Sequence, residues 1–160
     1  MKKSSIVISW AYAIELLLVC LIYGSMMIII GTGRLVGVLQ DDWTTFSAIA
    51  GGLFAGGLAV LLYIAQMLDS DFGRYLRWRK ADNHYLRAYQ IQVVLFLIAA
   101  GLPIAAAFGK NNIVAHSAWL IFLYALINGL TIVQNTVEII RLRQKFMAEY
   151  DTIKAQMGQE

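Results

Sequence analysis

Four long and mostly apolar stretches, Ile6 to Ile30, Thr44 to Leu68, Ala88 to Phe108 and Val114 to Ile140, take up most of this 160-residue chain. A helix of about 20 apolar residues is needed to cross the hydrocarbon core of a bilayer, and inside that core every backbone polar group must find an internal partner. The stretches therefore predict an all-α membrane protein, a four-helix antiparallel transmembrane bundle forming one domain over residues 1–160. Lys2 and Lys3 precede the first stretch as in a signal peptide, but its apolar run exceeds the roughly 7 to 15 residues of an h-region and is read as a retained helix.

Composition narrows the function classes. Hydrophobic residues make up 59% and charged residues 14% of the chain, against about 25% charge in soluble domains, which argues against a water-soluble enzyme and against disorder. Cys20 is the single cysteine, so neither a disulfide framework nor a CxxC redox pair exists within the chain. His84 and His116 lie on opposite sides of the predicted bilayer, no paired intramembrane aspartates occur, and there is no GxxxxGK. No catalytic set, metal site or cofactor is expected.

The cations predict orientation. Eleven of thirteen (Lys2, Lys3, Arg74, Arg77, Arg79, Lys80, Arg87, Arg141, Arg143, Lys145 and Lys154) fall at the termini and between the second and third spans, while Arg34 and Lys110 occupy the other two loops. Cytoplasmic loops carry the excess of Lys and Arg, so both termini are expected in the cytoplasm, as suits a bacterial inner membrane. The net charge of +3 then speaks for anionic lipid head groups rather than nucleic acid.

Outside the spans, Gly31 to Trp43 reads as an irregular turn and Gly109 to Ile113 as a tight one. Asp69 to Arg87 interleaves Phe72, Tyr75, Leu76 and Trp78 with Arg74, Arg77, Arg79 and Lys80, the pattern of a lipid-facing interfacial helix or of a docking surface. The tail, residues 141–160, is expected to extend the fourth helix unbroken up to Gly158. Its stripe of Leu142, Phe146, Tyr150, Ile153 and Met157 requires burial by lipid, by the interfacial segment or by a second copy of the chain.

Glu15 is the one acid or base deep within a span. Counting helical rise puts it roughly 13 Å from the inner end, near mid-membrane, where a carboxyl must be protonated, paired or hydrated. On the fourth span, Ser117, Tyr124, Asn128, Thr131, Asn135 and Glu138 share one face. Asn128 and Asn135, at depths of roughly 18 and 7 Å, bracket Glu15, so Asn128, Thr131 or Asn135 is expected to bond it. Gln66, Gln90 and Gln92 add polarity near the inner surface.

The second span carries a ridge of Ala48, Gly52, Gly56 and Ala59, suited to close helix packing, within the bundle or between chains. Pro103 interrupts the third span and predicts a kink. Four short helices with a lone acid in the first span, in the run Trp10 to Glu15, loosely resemble the small multidrug transporters, and the resemblance implies a first-helix glutamate exchanging protons for cationic drugs. Here the long connection after span two and the tail depart from that pattern. The expectation favours a non-enzymatic protein that binds a membrane partner or its own copies, as an accessory subunit, assembly factor or toxin-immunity protein. Proton-coupled transport or ion conduction through Glu15 is the alternative.

Overall fold

The computed structural model describes residues 2–79, 82–150, 152 and 154, with side chains for 13–79, 85–150, 152 and 154. Lys80, Ile153 and Met157, named above, lie outside the described residues. Among those described there are six helices and no strand: α1 Lys2–Ile30, α2 Thr32–Asp41, α3 Trp43–Leu68, α4 Asp71–Trp78, α5 Asp82–Gly109 and α6 Asn112–Ala148. Helices α1, α3, α5 and α6 are long and apolar enough to cross a membrane. At 37 residues, α6 is about 55 Å long, more than a bilayer core spans, so one end projects from it.

Local chemistry sets the breaks. Gly31, at φ 90°, occupies a backbone region that side chains disfavour and separates α1 from α2. The Asn111 side chain accepts from the amides of Ile113 at 2.9 Å and Val114 at 3.5 Å, capping α6.

Helix directions follow from the contacts. Trp43 meets Phe108 and Gly57 faces Phe96, so α3 and α5 run oppositely. Phe46 meets Trp119 and Phe122 while Leu53 lies against Gly129, so α3 and α6 run the same way. Helix α1 opposes α6, because Glu15 bonds Thr131 and Tyr23 bonds His116. The core is dense where α3, α5 and α6 meet, with Ala50, Ala99, Ala106, Ala118 and Ala125 fully buried. Helix α1 leans chiefly on α6 and leaves Leu16, Leu17, Leu21, Ile28 and Ile29 exposed, a surface that lipid or a protein must cover. Pro103 is buried within an uninterrupted α5.

Three expectations change. The Gly31 to Trp43 segment is no irregular turn, because Leu35, Val36 and Leu39 form a buried stripe along α2 and the Trp119 indole donates to the Leu35 carbonyl at 2.8 Å. The tail is not unbroken, since α6 ends at Ala148 with Glu149 as its cap. Helix α4 also turns its apolar face to protein rather than lipid: Phe72, Gly73 and Leu76 are buried, and Phe146 of α6 packs on Phe72 and Tyr75. Of the three candidates to cover the tail stripe, the interfacial segment is the one that meets Phe146 and Tyr150.

Candidate functional site

The polar cluster forms where α1, α5 and α6 meet. Thr131 Oγ1 donates to Glu15 Oε1 at 2.6 Å, and Asn128 Nδ2 donates to Glu15 Oε2 at 3.4 Å. Asn128 Nδ2 also donates to the Tyr124 carbonyl at 3.1 Å, while Asn128 Oδ1 accepts from Gln92 Nε2 at 3.3 Å. Asn128 is 1% and Gln92 3% exposed, and Glu15 is half-buried. The Tyr124 carbonyl fixes which end of the Asn128 amide faces Glu15, since reversal would set two oxygens against each other. Two oriented donors thus point at one carboxyl group.

Asn128 and Thr131 reach Glu15 because they lie three residues apart on one face of α6. Asn135, also expected there, is half-buried a further turn away and takes no part in these bonds. Gln92 is a member that sequence reading placed only among the inner-surface polar residues. Its signal was positional: it shares the buried face of α5 with Tyr89, Val93, Phe96 and Ala99, whereas Gln66 and Gln90 are exposed.

Two further polar contacts tie the helices. At the α2 end, the buried Tyr23 hydroxyl hydrogen-bonds His116 Nδ1, so His116 joins α6 to α1 and is more than a helix-start residue. Thr32, Gly33, Val36, Asn112 and His116 line an open cleft of about 170 Å³ beside it. One turn from Gln92, the Tyr89 hydroxyl meets Thr136 Oγ1 at 3.2 Å.

At the α4 end the basic residues Arg74, Arg77 and Arg79 are exposed, but each has an intramolecular role. Arg74 pairs with Asp71, Arg77 donates to the Leu68 carbonyl at 2.9 Å, and the Arg79 guanidinium lies 5.2 Å from the Trp78 ring and 5.7 Å from that of Tyr75. The Tyr150 hydroxyl donates to Asp71 Oδ2 at 2.6 Å. That bond, with the Arg74 cation, holds the Asp71 carboxyl below its ordinary range.

The small-residue ridge does not pack inside the bundle. Ala48, Gly52, Gly56 and Ala59 are exposed, and a methyl group added at Gly52 or Gly56 would meet nothing within 4 Å. The internal approach uses Gly57, whose added Cβ would lie 3.0 Å from the Phe96 ring. The physical reason is helical phase: one residue turns a side chain by about 100°, and it is Ala50, Gly57 and Ile64, seven apart, that face inward.

Among the described residues no three His, Cys, Asp or Glu side chains converge as metal ligands. No family model, curated protein or solved structure matches the chain.

Proposed function

We propose that this is a non-enzymatic integral membrane protein that works by holding a partner helix, from another protein or a second copy of itself, against α3. The observation that carries this reading is the outward-facing ridge of Ala48, Gly52, Gly56 and Ala59. Small residues let backbones approach closely, which drives association where no hydrophobic effect operates between helices. An accessory subunit, an assembly factor or a toxin-immunity protein would use such a face. Purification of the tagged chain in mild detergent tests the reading: a stoichiometric partner or a homo-oligomer supports it, and a monomer alone contradicts it.

The distribution of cations supports a bacterial inner membrane with both termini cytoplasmic. Arg74, Arg77, Arg79, Arg87, Arg141, Arg143 and Lys145 belong to the α4 end, against Arg34 and Lys110 at the α2 end. The same excess suits anionic head groups at the cytoplasmic face. Accessibility of single cysteines placed in α2 and α4 to an impermeant thiol reagent, in a Cys20→Ala background, checks this orientation.

A second reading draws on the donors aimed at Glu15. A carboxyl group so placed suits proton-coupled transport or ion conduction. Its test is proton flux into vesicles containing the purified chain, which Glu15→Gln must abolish.

A further inference from the structure

Gln92 is 3% exposed, and its Oε1 accepts from no donor among the described residues. Turning the amide over does not help, because Asn128 is fixed by the Tyr124 carbonyl and presents Oδ1 to Gln92. Gln92 must therefore keep Nε2 toward Asn128 and present an acceptor elsewhere. One turn away on the same buried face stands Tyr89, 1% exposed. Thr136 Oγ1 donates its proton to the Ile132 carbonyl at 2.7 Å, so in the Tyr89 to Thr136 contact the tyrosine is the donor. The lone pairs of the Tyr89 oxygen are left as acceptors.

Two acceptors thus lie on one buried face of α5, on residues three apart, while their partners Asn128 and Thr136 are eight residues, about 12 Å, apart along α6, so the gap between the acceptors is one that more than one water molecule fills. Buried polar atoms of this kind are satisfied by internal water, which needs two or more polar partners. We propose that Gln92 Oε1 and Tyr89 Oη hold buried water at the α5–α6 seam. That water joins the Glu15, Thr131, Asn128 and Gln92 cluster to the Tyr89 and Thr136 pair. The polar interior so formed runs from Glu15 toward the α4 end and reaches about 12 Å along α6, from Asn128 to Thr136.

The water site stands on the two acceptors alone. Its role, hydrating the approach to Glu15 from the α4 end, rests on the second reading above. Other titratable groups on the facing helix are Tyr124, one turn from Asn128, Glu138, two turns past Thr131, the exposed Arg141, Arg143 and Lys145 beyond it, and His116, about 18 Å from Asn128 toward the α2 end. None of them is bonded to Gln92 or Tyr89.

Water-edited solid-state NMR on the full chain in lipid bilayers tests the site. Magnetisation from water is expected to reach the Gln92 side-chain carbon as early as those of the exposed Gln66 and Gln90. In Tyr89→Phe, which removes one acceptor, early transfer to Gln92 is expected to be lost. Transfer to wild-type Gln92 as slow as to the buried Ala99 and Ala125 methyls overturns the water site, as does early transfer that persists in Tyr89→Phe. Proton flux in the same bilayers separates the two ideas: a wet Gln92 with flux unaffected by Glu15→Gln keeps the water and removes its role. A dry Gln92 with flux abolished by Glu15→Gln removes the water and keeps the proton reading.

Discussion

Thr131 Oγ1 donates to Glu15 Oε1 at 2.6 Å across the seam between α6 and α1. Much of the described part of α1 is otherwise exposed, so among the described residues this bond, the Asn128 bond to the same carboxyl and the Tyr23 to His116 contact are its polar attachments to α6. Removing the donor with Thr131→Val is expected to cost roughly 0.6 to 1.7 kcal/mol, the range for interhelical hydrogen bonds in bilayers. Glu15→Gln keeps an acceptor for Thr131 and is expected to stay within about 1 kcal/mol of the parent. Equilibrium unfolding in mixed micelles reads both, and a Thr131→Val effect unchanged in the Glu15→Leu background would show that the pair is not coupled.

The docking of α4 depends on a backbone position. A Cβ at Gly73 would overlap the Leu68 carbonyl oxygen, a contact that moving a side chain cannot relieve. Gly73→Ala must therefore push α4 off the end of α3 and break the Arg77 to Leu68 bond. Overpacking of this kind costs about 1 to 3 kcal/mol. Faster tryptic cleavage after Arg77 and Arg79, with the membrane helices intact by circular dichroism, is the expected outcome.

The four spans were legible because bilayer thickness dictates segment length, and Glu15 with Asn128 and Thr131 because helical spacing brings one polar face of α6 to a matching depth. What periodicity could not supply was rotation. Gly52 and Gly56 make the more familiar motif, but the neighbouring Gly57 meets Phe96, and only the packed structure settles which phase faces inward. The covering of the tail was hidden for a related reason. The stripe through Phe146 and Tyr150 called for burial, while the face that buries it, Phe72 and Leu76 on α4, was masked by the basic residues between them.

Docking of the tail on α4 is expected to depend on acidity. The Tyr150 hydroxyl and the Arg74 cation lower the folded-state pKa of Asp71, so the unfolded state binds its proton more readily. The stabilisation is then present above the ordinary carboxylate range, near pH 4, and fades as pH falls through the lower folded value. Docking, read as hydrogen-exchange protection of residues 142–150 relative to the intrinsic rate, should be insensitive to pH between about pH 5 and 8. Asp71→Ala should lower that protection there, and the difference between mutant and parent should close at pH values below the folded-state pKa. A difference that survives strong acidification would mean that Phe146 stacking, rather than Asp71, holds the tail.

Gly52 and Gly57 lie five residues apart on α3 yet face different surroundings, and large side chains should separate the two. Gly57→Leu drives atoms into the Phe96 ring and against Val93, and an overpacked core of this kind loses about 1 to 3 kcal/mol. Gly52→Leu and Gly56→Leu meet no atom of their own chain, so the isolated protein should unfold within about 0.5 kcal/mol of the parent, as surface changes do. If α3 carries the partner interface, the same two substitutions should abolish co-purification or self-association in mild detergent, because a branched side chain prevents close backbone approach. Partner recovery equal to wild type in both variants would remove α3 as the docking face and leave the exposed side of α1 as the surface to test.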